Sequence, residues 1–200
     1  MRAMTRRASI LPLALALAAC DEARVPSQPD GNGGRPVVAE GAAAEPVTPA
    51  AAARPAVTLE AEGIRLVDST SGSARPLPFG APMEQAVAAL AAAFGSAPAE
   101  RETNNECGAG PLALVRWAGG FTALFQEDRF AGWVAADGLT TADGVGVGSK
   151  RAALADHGAQ VEQSSLGTEF NAGGLGGLLS SDAADARIIA LWAGTTCHFR

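Results

Sequence analysis

The chain has 200 residues, of which 48% are hydrophobic and 18% are charged, and its formal net charge is −6 at pH 7. This size accommodates one ordinary domain with additional segments. An acidic chain without a cluster of Lys and Arg residues is poorly suited to nucleic acid, so we expect no nucleic-acid partner. Its apolar runs are all shorter than the ~20 residues that a membrane-spanning helix requires.

The N-terminal residues have the order of a secretory signal. Arg2, Arg6 and Arg7 precede an apolar run over residues 10–19, and small residues follow directly before Cys20. This basic, apolar and small-residue order is typical of a signal peptide. The arginine pair also allows a twin-arginine signal, although the residues after it fit that motif poorly. We therefore predict a signal peptide that ends before Cys20.

The segment Leu17-Ala18-Ala19-Cys20 resembles the lipobox of bacterial lipoproteins. The resemblance implies that residues 1–19 are removed and that the Cys20 sulfur and the new amino group carry acyl chains such as palmitate. Two or more acyl chains anchor a protein stably to a bilayer. The chain would then lie in the bacterial cell envelope, anchored to the lipid bilayer through acylated Cys20, with its domain facing the periplasm. The alternative is an ordinary signal peptide with a coincidental cysteine.

Residues 20–56 form a segment that is rich in Pro, Ala and Gly and has almost no large apolar side chain. Such a segment buries too little surface to offset its ordering entropy, so we predict a disordered tether between the lipid and a domain at 57–200. The leader contains three of the 15 basic residues and none of the 21 acidic ones. Cleavage before Cys20 therefore leaves 12 basic against 21 acidic residues, a net charge of −9.

The domain begins with a predicted hairpin and the clearest helix of the chain. Short β-branched or alternating runs at 57–59 and 64–67 lie on either side of Gly63, which is typical of two paired strands. Apolar residues then recur at the helical spacing of positions 83, 87, 90 and 94. Pro82 suits the first turn of this helix and Gly95 suits its end.

Two units of helix and meander are predicted after the hairpin. Apolar runs with hairpin-sized connections follow the first helix at 112–117, 121–126 and 130–135. A short helix at 150–157 is followed by candidate strands at 161–163, 168–171, 175–179, 187–192 and 196–199. The sequence therefore predicts an α+β fold of two helix-then-antiparallel-meander units, with the helices packed on one face of a small sheet.

The order of these elements over residues 79–199 is similar to that of β-lactamase-inhibitory-protein-like and SmpA/OmlA-type lipoprotein domains. The resemblance covers the layout of the elements and no residue-level motif. It implies that helical elements pack on one face of a small antiparallel sheet, and that the other face can bind partner proteins. A resemblance of fold does not by itself carry a function.

Cys107 and Cys197 are the two cysteines that remain when Cys20 is lipidated. The exported compartment is oxidising, so we predict a disulfide between them. A metal site is the alternative, and it would need ligands beyond two thiols and the distant His157 and His198. We expect no metal and no cofactor.

Few residues in the sequence suit catalysis. Residues 143–150 are glycine-rich, but Ser149 interrupts both a P-loop and a dinucleotide motif, so we predict a turn into a helix. Histidine-based catalysis would have to use His157 or His198, outside any recognised catalytic motif. Five carboxylates could supply an acid–base pair: Glu100, Glu102, Glu106, Asp182 and Asp185. On loops such residues are usually solvated charges, so we predict that the protein is not an enzyme.

The partner face is predicted from strand alternation, because side chains point alternately to the two faces of a sheet. Arg116, Leu124 and Trp133 then share the face that points away from the helices. The opposite, inward set is Ala113, Val115, Trp117, Phe121, Ala123, Phe125, Phe130 and Val134. Trp and Arg are enriched at interface hot spots, so we predict a partner site on the outward face. A register slip of one residue would instead bury Trp133.

These observations predict a non-catalytic protein-interaction or scaffolding module of the cell envelope, with a protein partner in the envelope. A small-molecule-binding lipoprotein is the first alternative, and a cavity of ~300 Å³ or more between helix and sheet would favour it. A periplasmic hydrolase is the second alternative, and a convergent group of titratable residues would favour that.

Overall fold

The computed structural model describes residues 53–197 of the chain. Cys20, the predicted signal peptide and residues 20–52 of the predicted tether lie outside these residues. Within 53–197 the chain forms one α-helix, one 3-10 helix and twelve strands in two sheets. The fold is therefore mostly β, which corrects the α+β class that the sequence predicted. No helix in this part of the chain is long and apolar enough to cross a bilayer.

The bounds of the elements are as follows. The first sheet contains β1 Ala56–Glu60, β2 Gly63–Val67, β3 Ala74–Pro78 and β8 Thr140–Thr141. The second sheet contains β4 Glu100–Asn104, β5 Leu112–Arg116, β6 Thr122–Gln126, β7 Arg129–Val134, β9 Gln160–Ser164, β10 Gly167–Ala172, β11 Leu175–Leu179 and β12 Ile188–Gly194. The helix α1 spans Met83–Phe94 and the 3-10 helix spans Arg151–His157.

The four-stranded sheet has the order β3-β2-β1-β8, with β1 antiparallel to β2 and parallel to β8. The predicted opening hairpin is thereby confirmed. The edge strand β3 was not predicted, because Pro76 and Pro78 occupy two of its five positions. Proline cannot donate to a sheet ladder and is confined to edges, where its missing N–H faces away from the partner strand.

The eight-stranded sheet has the order β4-β5-β6-β7-β12-β11-β10-β9, and all of its neighbours pair antiparallel. It therefore consists of two four-stranded meanders, β4–β7 and β9–β12, which join where β7 pairs with β12. The edge strand β4 was also missed, since its residues Glu-Arg-Glu-Thr-Asn include no apolar side chain. Charged residues on an edge strand oppose pairing with other chains.

The helix α1 matches its predicted bounds. Gly95 follows it in the left-handed conformation at φ 67° and donates its N–H to the carbonyl of Ala91, which ends the helix. The helix buries the side chains of Val87 and Leu90 in the core. The 3-10 helix begins one residue after the predicted start at 150, and Leu154 is its buried residue.

The main hydrophobic core lies between one face of the eight-stranded sheet, here called the inner face, and the layer formed by α1 and the four-stranded sheet. Val115, Ala123, Trp133 and Leu191 contribute to it from the inner face. The opposite face of the eight-stranded sheet is called the outer face. A smaller cluster lies there around Cys107, Leu112 and Leu124. The sheet is therefore a layer with apolar contacts on both faces.

The same contact precedes both meanders: an arginine side chain donates a hydrogen bond to the carbonyl of a glycine with a positive φ angle. Gly80 before α1 and Gly148 before the 3-10 helix have φ angles of 89° and 88°. Arg129 at the start of β7 donates from Nη1 to the Gly80 carbonyl at 3.2 Å, and Arg187 beside β12 donates to the Gly148 carbonyl at 2.7 Å. Left-handed backbone of this kind favours glycine.

The last strands of the two meanders also share an irregularity. In β7 the pairing with β6 passes from Phe130 to Gly132 and leaves out Ala131. In β12 the pairing with β11 passes from Ile188 to Ala190 and leaves out Ile189, whose side chain is 55% exposed. Each strand therefore contains a β-bulge, which inserts one residue and changes the face to which later side chains point.

Candidate functional site

The predicted disulfide is confirmed by the positions of its two cysteines. The Sγ atoms of Cys107 and Cys197 are 2.12 Å apart and their Cα atoms 5.4 Å apart. Nδ2 of Asn104 lies 3.5 Å from the sulfur of Cys197. The bond attaches the end of the described chain to the loop between β4 and β5, on the outer face of the first meander. The predicted strand at 196–199 is not formed at Thr196 or Cys197, and its remaining residues lie outside the described part.

The predicted partner face is wrong at Trp133. This side chain is 0% exposed and belongs to the main core. Its indole Nε1 donates to the backbone carbonyls of Glu60 at 3.0 Å and Gly63 at 2.9 Å. The tryptophan therefore links the eight-stranded sheet to the turn of the β1–β2 hairpin, and it is unavailable to a partner.

The bulge at Ala131 explains the error. Regular alternation from Phe130, which is correctly predicted to point inward, would turn Trp133 outward and Val134 inward. The extra residue reverses both positions, so Trp133 pairs with Ala123 on the inner face and Val134 with Thr122 on the outer face. The inward positions predicted for β5 and β6 need no such correction, because those strands are regular.

The other two predicted residues of the partner face do lie on the outer face. Leu124 is only 2% exposed there, since it packs in the small cluster with Cys107 and Leu112. Arg116 is partly exposed and pairs with Glu102 at 2.6 Å and with Glu100 at 3.2 Å. The hydrogen bond with Glu102 is the main reason that the pKa of Arg116 is raised above its ordinary value. Arg116 therefore remains charged and is held in place.

One row of residues crosses the whole outer face, and we call it the outer row. Consecutive members are directly opposite each other in the strand pairing, from one edge strand to the other. They are Glu100, Arg116, Thr122, Val134, Trp192, Gly176, Asn171 and Gln160. The outer row thus begins with the ion pair of Glu100 and Arg116, and Trp192 lies near its centre.

Trp192 is the one tryptophan among the three that is not buried, because Trp117 is 2% and Trp133 0% exposed. Its indole lies across Gly176, where any Cβ would overlap the ring. On the opposite face, the ring of Phe170 occupies the corresponding place over Gly177. The two successive glycines of β11 therefore let one aromatic ring approach each side of the sheet closely.

A cavity of about 270 Å³ opens beside Trp192 on the outer face. Two carboxylates line it, Glu162 on β9 and Glu169 on β10, and they stand directly opposite each other in the strand pairing. Glu162 is exposed and Glu169 is 4% exposed. The amides of Gln160 and Asn171 complete the polar lining.

Two larger grooves lie beside the helices. The groove of about 710 Å³ between α1 and the start of β4 is lined by Met83, Val87, Ala88, Ala91, Pro98 and Arg101, among others. The groove of about 560 Å³ beside the 3-10 helix is lined by Arg151, Leu154, Ala155, Val161, Asp182 and Ala184, among others. The two grooves occupy equivalent places, each between a helix and the first strand of the meander that follows it.

The candidate catalytic residues do not form a single group. Glu100 and Glu102 are brought together as the ion-pair partners of Arg116, whereas Asp182 lines the groove beside the 3-10 helix. His157 lines a different depression, which it shares with the β1–β2 hairpin. Within residues 53–197, no group of three or more His, Cys, Asp and Glu side chains is placed to hold a metal ion. His198 lies outside the described residues.

Four residues of this surface were not predicted from the sequence: Trp192, Gly176, Glu162 and Glu169. The glycine pair of β11 beside a tryptophan on the next strand was the available signal, because glycine within a strand often marks close approach of another group. No protein-family model, curated protein or solved structure matches this chain.

Proposed function

We propose that this protein is a lipid-anchored, non-catalytic interaction module of the bacterial cell envelope, and that the outer row around Trp192 contacts its protein partner. The observation that carries the proposal is the place of Trp192, which lies partly exposed near the centre of the outer row. Trp and Arg are the residue types most enriched among interface hot spots. Both occur in the outer row.

The rigidity of this surface supports the proposal. Arg116 is held by two carboxylates and the indole of Trp192 packs against Gly176. Side chains that are fixed before binding lose little conformational entropy when a partner arrives. The surface is built on strands, which position side chains more precisely than loops do.

The arrangement of helices and meanders also supports the proposal. We take the two meanders, each preceded by a helix, as two copies of one unit, a layout that resembles β-lactamase-inhibitory-protein-like and SmpA/OmlA-type domains. In that layout helical elements cover one sheet face and leave the other for partners. In this chain the outer row is on the face away from α1.

The contact surface is tested by site-specific photo-crosslinking in cells. A benzophenone side chain at Asn171, an exposed member of the outer row, should capture one defined envelope protein. The same probe at Gln85, which is exposed on α1, is the matched control and should not capture that protein. Trp192→Ala should remove the Asn171 product without unfolding the domain. Identical products from both positions, or a product that persists in Trp192→Ala, would contradict the proposal.

The anchor is tested separately by Cys20→Ser. Without the thiol no lipid can be attached, so the variant should be released from the membrane fraction while the domain stays folded. Fractionation checks the release, and circular dichroism of the released chain checks that the domain is folded. A Cys20→Ser chain that remains stably membrane-bound would contradict the lipoprotein assignment.

A small-molecule-binding lipoprotein is the second candidate, and the groove beside α1 is the observation that favours it. Its volume of about 710 Å³ and its apolar floor of Met83, Val87 and Ala91 suit an apolar ligand. Ala88→Trp would fill this groove from the exposed side of the helix. An apolar fluorescent probe that binds the native chain and not Ala88→Trp would support this candidate, whereas equal binding would remove it.

A further inference from the structure

The edge strands of the two sheets differ in how they are protected against pairing with another strand. In the four-stranded sheet, β3 contains two prolines and β8 is only two residues long. In the eight-stranded sheet, three of the five residues of β4 are charged. Prolines, short strands and charges are means by which proteins prevent edge-to-edge association. The remaining edge strand, β9, has five residues, no proline and a single charge, Glu162.

The strand β9 is regular, and within residues 53–197 it pairs with β10 alone, without a bulge. Ser164 and Gly167 flank the two-residue turn between these strands, so they form a hydrogen-bonded pair. Such pairs alternate along antiparallel strands. The backbone N–H and C=O groups of Val161 and Gln163 therefore point away from β10. An extended strand is the group that pairs with such an edge.

The sequence of β9 is complementary to itself when a second copy runs antiparallel to it. With the two-fold axis at Val161, Gln160 stands opposite Glu162 of the second copy, and the symmetry repeats this pair. The glutamine amide donates to the carboxylate, which accepts. Val161 stands opposite Val161 of the second copy on the inner face, where it already packs against the main core. Cross-strand pairs of β-branched side chains stabilise a sheet.

The neighbouring registers are less favourable. With the axis at Glu162, the two Glu162 carboxylates would stand directly opposite each other and repel. With the axis at Gln163, Val161 would stand opposite Ser165, which lies in the turn after β9 and outside the strand. The axis at Val161 is therefore the register in which the charged residue meets a hydrogen-bond donor and the valines meet each other.

We propose that β9 pairs antiparallel with β9 of a second copy of this chain, with the two-fold axis at Val161. The two eight-stranded sheets then form one continuous sheet in a symmetric dimer. This inference goes beyond the proposed function, because the contact is made by the sheet edge and the partner is the chain itself.

Cysteine pairs test the contact and its register in the full chain. One copy carries Gln160→Cys and a second, differently tagged copy carries Glu162→Cys. In the proposed register these positions form a non-hydrogen-bonded pair with Cα atoms about 4.5 Å apart, which a disulfide can bridge. Two copies of the same variant place their thiols on diagonal positions about 7–8 Å apart, where bridging is disfavoured. The mixed disulfide dimer should therefore exceed either same-variant dimer several-fold.

The matched control uses the other edge of the same sheet. Arg101→Cys on one copy and Thr103→Cys on the other occupy exposed positions of β4 with the same spacing. Non-reducing gels should show only collisional background for this pair. A β9 pair that gives no more mixed dimer than the β4 pair, or no more than its own same-variant dimers, would overturn the inference.

Charge variants at one position test the pairing without cysteines. Gln160→Glu places like charges opposite each other twice in the dimer, so the dissociation constant measured by sedimentation should rise about fivefold or more. Gln160→Lys faces the same carboxylates and should lower it. Gln85→Glu adds the same negative charge on α1 and should change it less than twofold, with folding of each variant checked by circular dichroism. Equal effects of Gln160→Glu and Gln85→Glu, or a native chain that stays monomeric, would overturn the inference.

Failure of this inference is distinguishable from failure of the proposed function. If the dimer is absent while Trp192→Ala still removes the photo-crosslink from Asn171, only the inference is lost. If the mixed disulfide forms as expected while Trp192→Ala leaves that photo-crosslink unchanged, the dimer is supported and the partner surface is elsewhere.

Discussion

The first meander, β4–β7, and the second meander, β9–β12, share a scaffold and differ in what covers their outer faces. Both contain a bulge at the same point of the last strand, Ala131 or Ile189, and both bind an arginine to a glycine carbonyl before the helix. These shared contacts involve mainly the backbone. These contacts are the same in the two meanders where many of their side chains differ.

The loop between the first two strands is the main difference. In the first meander it runs from residue 105 to 111, contains Cys107 and covers the outer face with a small apolar cluster. In the second meander it has only two residues, Ser165 and Leu166, which leaves Trp192 and the carboxylates uncovered by such a loop. The comparison teaches that the outer face of the first meander is covered by its own loop and cross-linked by a disulfide, whereas the outer face of the second, the proposed contact surface, has no such loop.

Loss of the disulfide, which lies on the first meander, should lower the free energy of unfolding more than any other change proposed below. The bond closes a loop with a sequence separation of 90 residues, for which the chain-entropy model gives about 4–5 kcal/mol. Cys107→Ser together with Cys197→Ser should lower the free energy of unfolding in urea by that order. Reduced native protein is the matched control and should lose the same amount. A loss below about 1 kcal/mol would contradict the stabilising role of this loop.

The two tryptophans at the junction of the meanders should respond very differently to truncation. Trp133→Ala removes a buried ring and leaves two carbonyls without their donor, so we expect a loss of about 3–5 kcal/mol. Trp192→Ala, on the outer face, should cost about 1 kcal/mol or less. Urea unfolding measures both, and similar losses would contradict the assignment of Trp192 to a contact surface.

Alanine substitutions at Gly176 and Gly177 of β11 test how tightly the two faces of the second meander are packed. A Cβ at Gly177 meets the Phe170 ring and the Ala190 backbone, so Gly177→Ala should cost about 1–3 kcal/mol through overpacking. The three atoms nearest to a Cβ at Gly176 all belong to the indole of Trp192, which can move outward. Gly176→Ala should therefore keep most of the stability and shift tryptophan emission to longer wavelength. An unchanged emission spectrum would show that Trp192 is not held by Gly176.

The paired arginines should have the smallest effects, and the effects should be equal. Arg129→Met and Arg187→Met each remove one hydrogen bond to a glycine carbonyl, which contributes about 0.5–1.5 kcal/mol. Thermal unfolding of the two variants measures the difference between them. If one variant loses stability and the other does not, the hydrogen bond from arginine to the glycine carbonyl stabilises only one of the meanders.

Elements with a local pattern were predicted and elements without one were missed. The helix α1 has apolar residues at helical spacing and a glycine stop, and β11 matched at 175–179. In contrast, β3 contains two prolines and β4 has no apolar residue, so both become strands only because a neighbouring strand pairs with them. For this reason the sequence predicted too few strands, and it predicted an α+β fold where the fold is mostly β.

The sequence by itself determined the helix α1, the hairpin of β1 and β2, and the cysteine pair, because each depends on local spacing or on residue count. The tertiary structure alone decided which tryptophan faces outward. A bulge at Ala131 reverses the alternation, and such a bulge is set by pairing between β6 and β7 and not by the residues of one strand. The junction of β7 with β12 likewise connects residues about 60 positions apart, so the outer row and its centre at Trp192 exist only in the folded sheet.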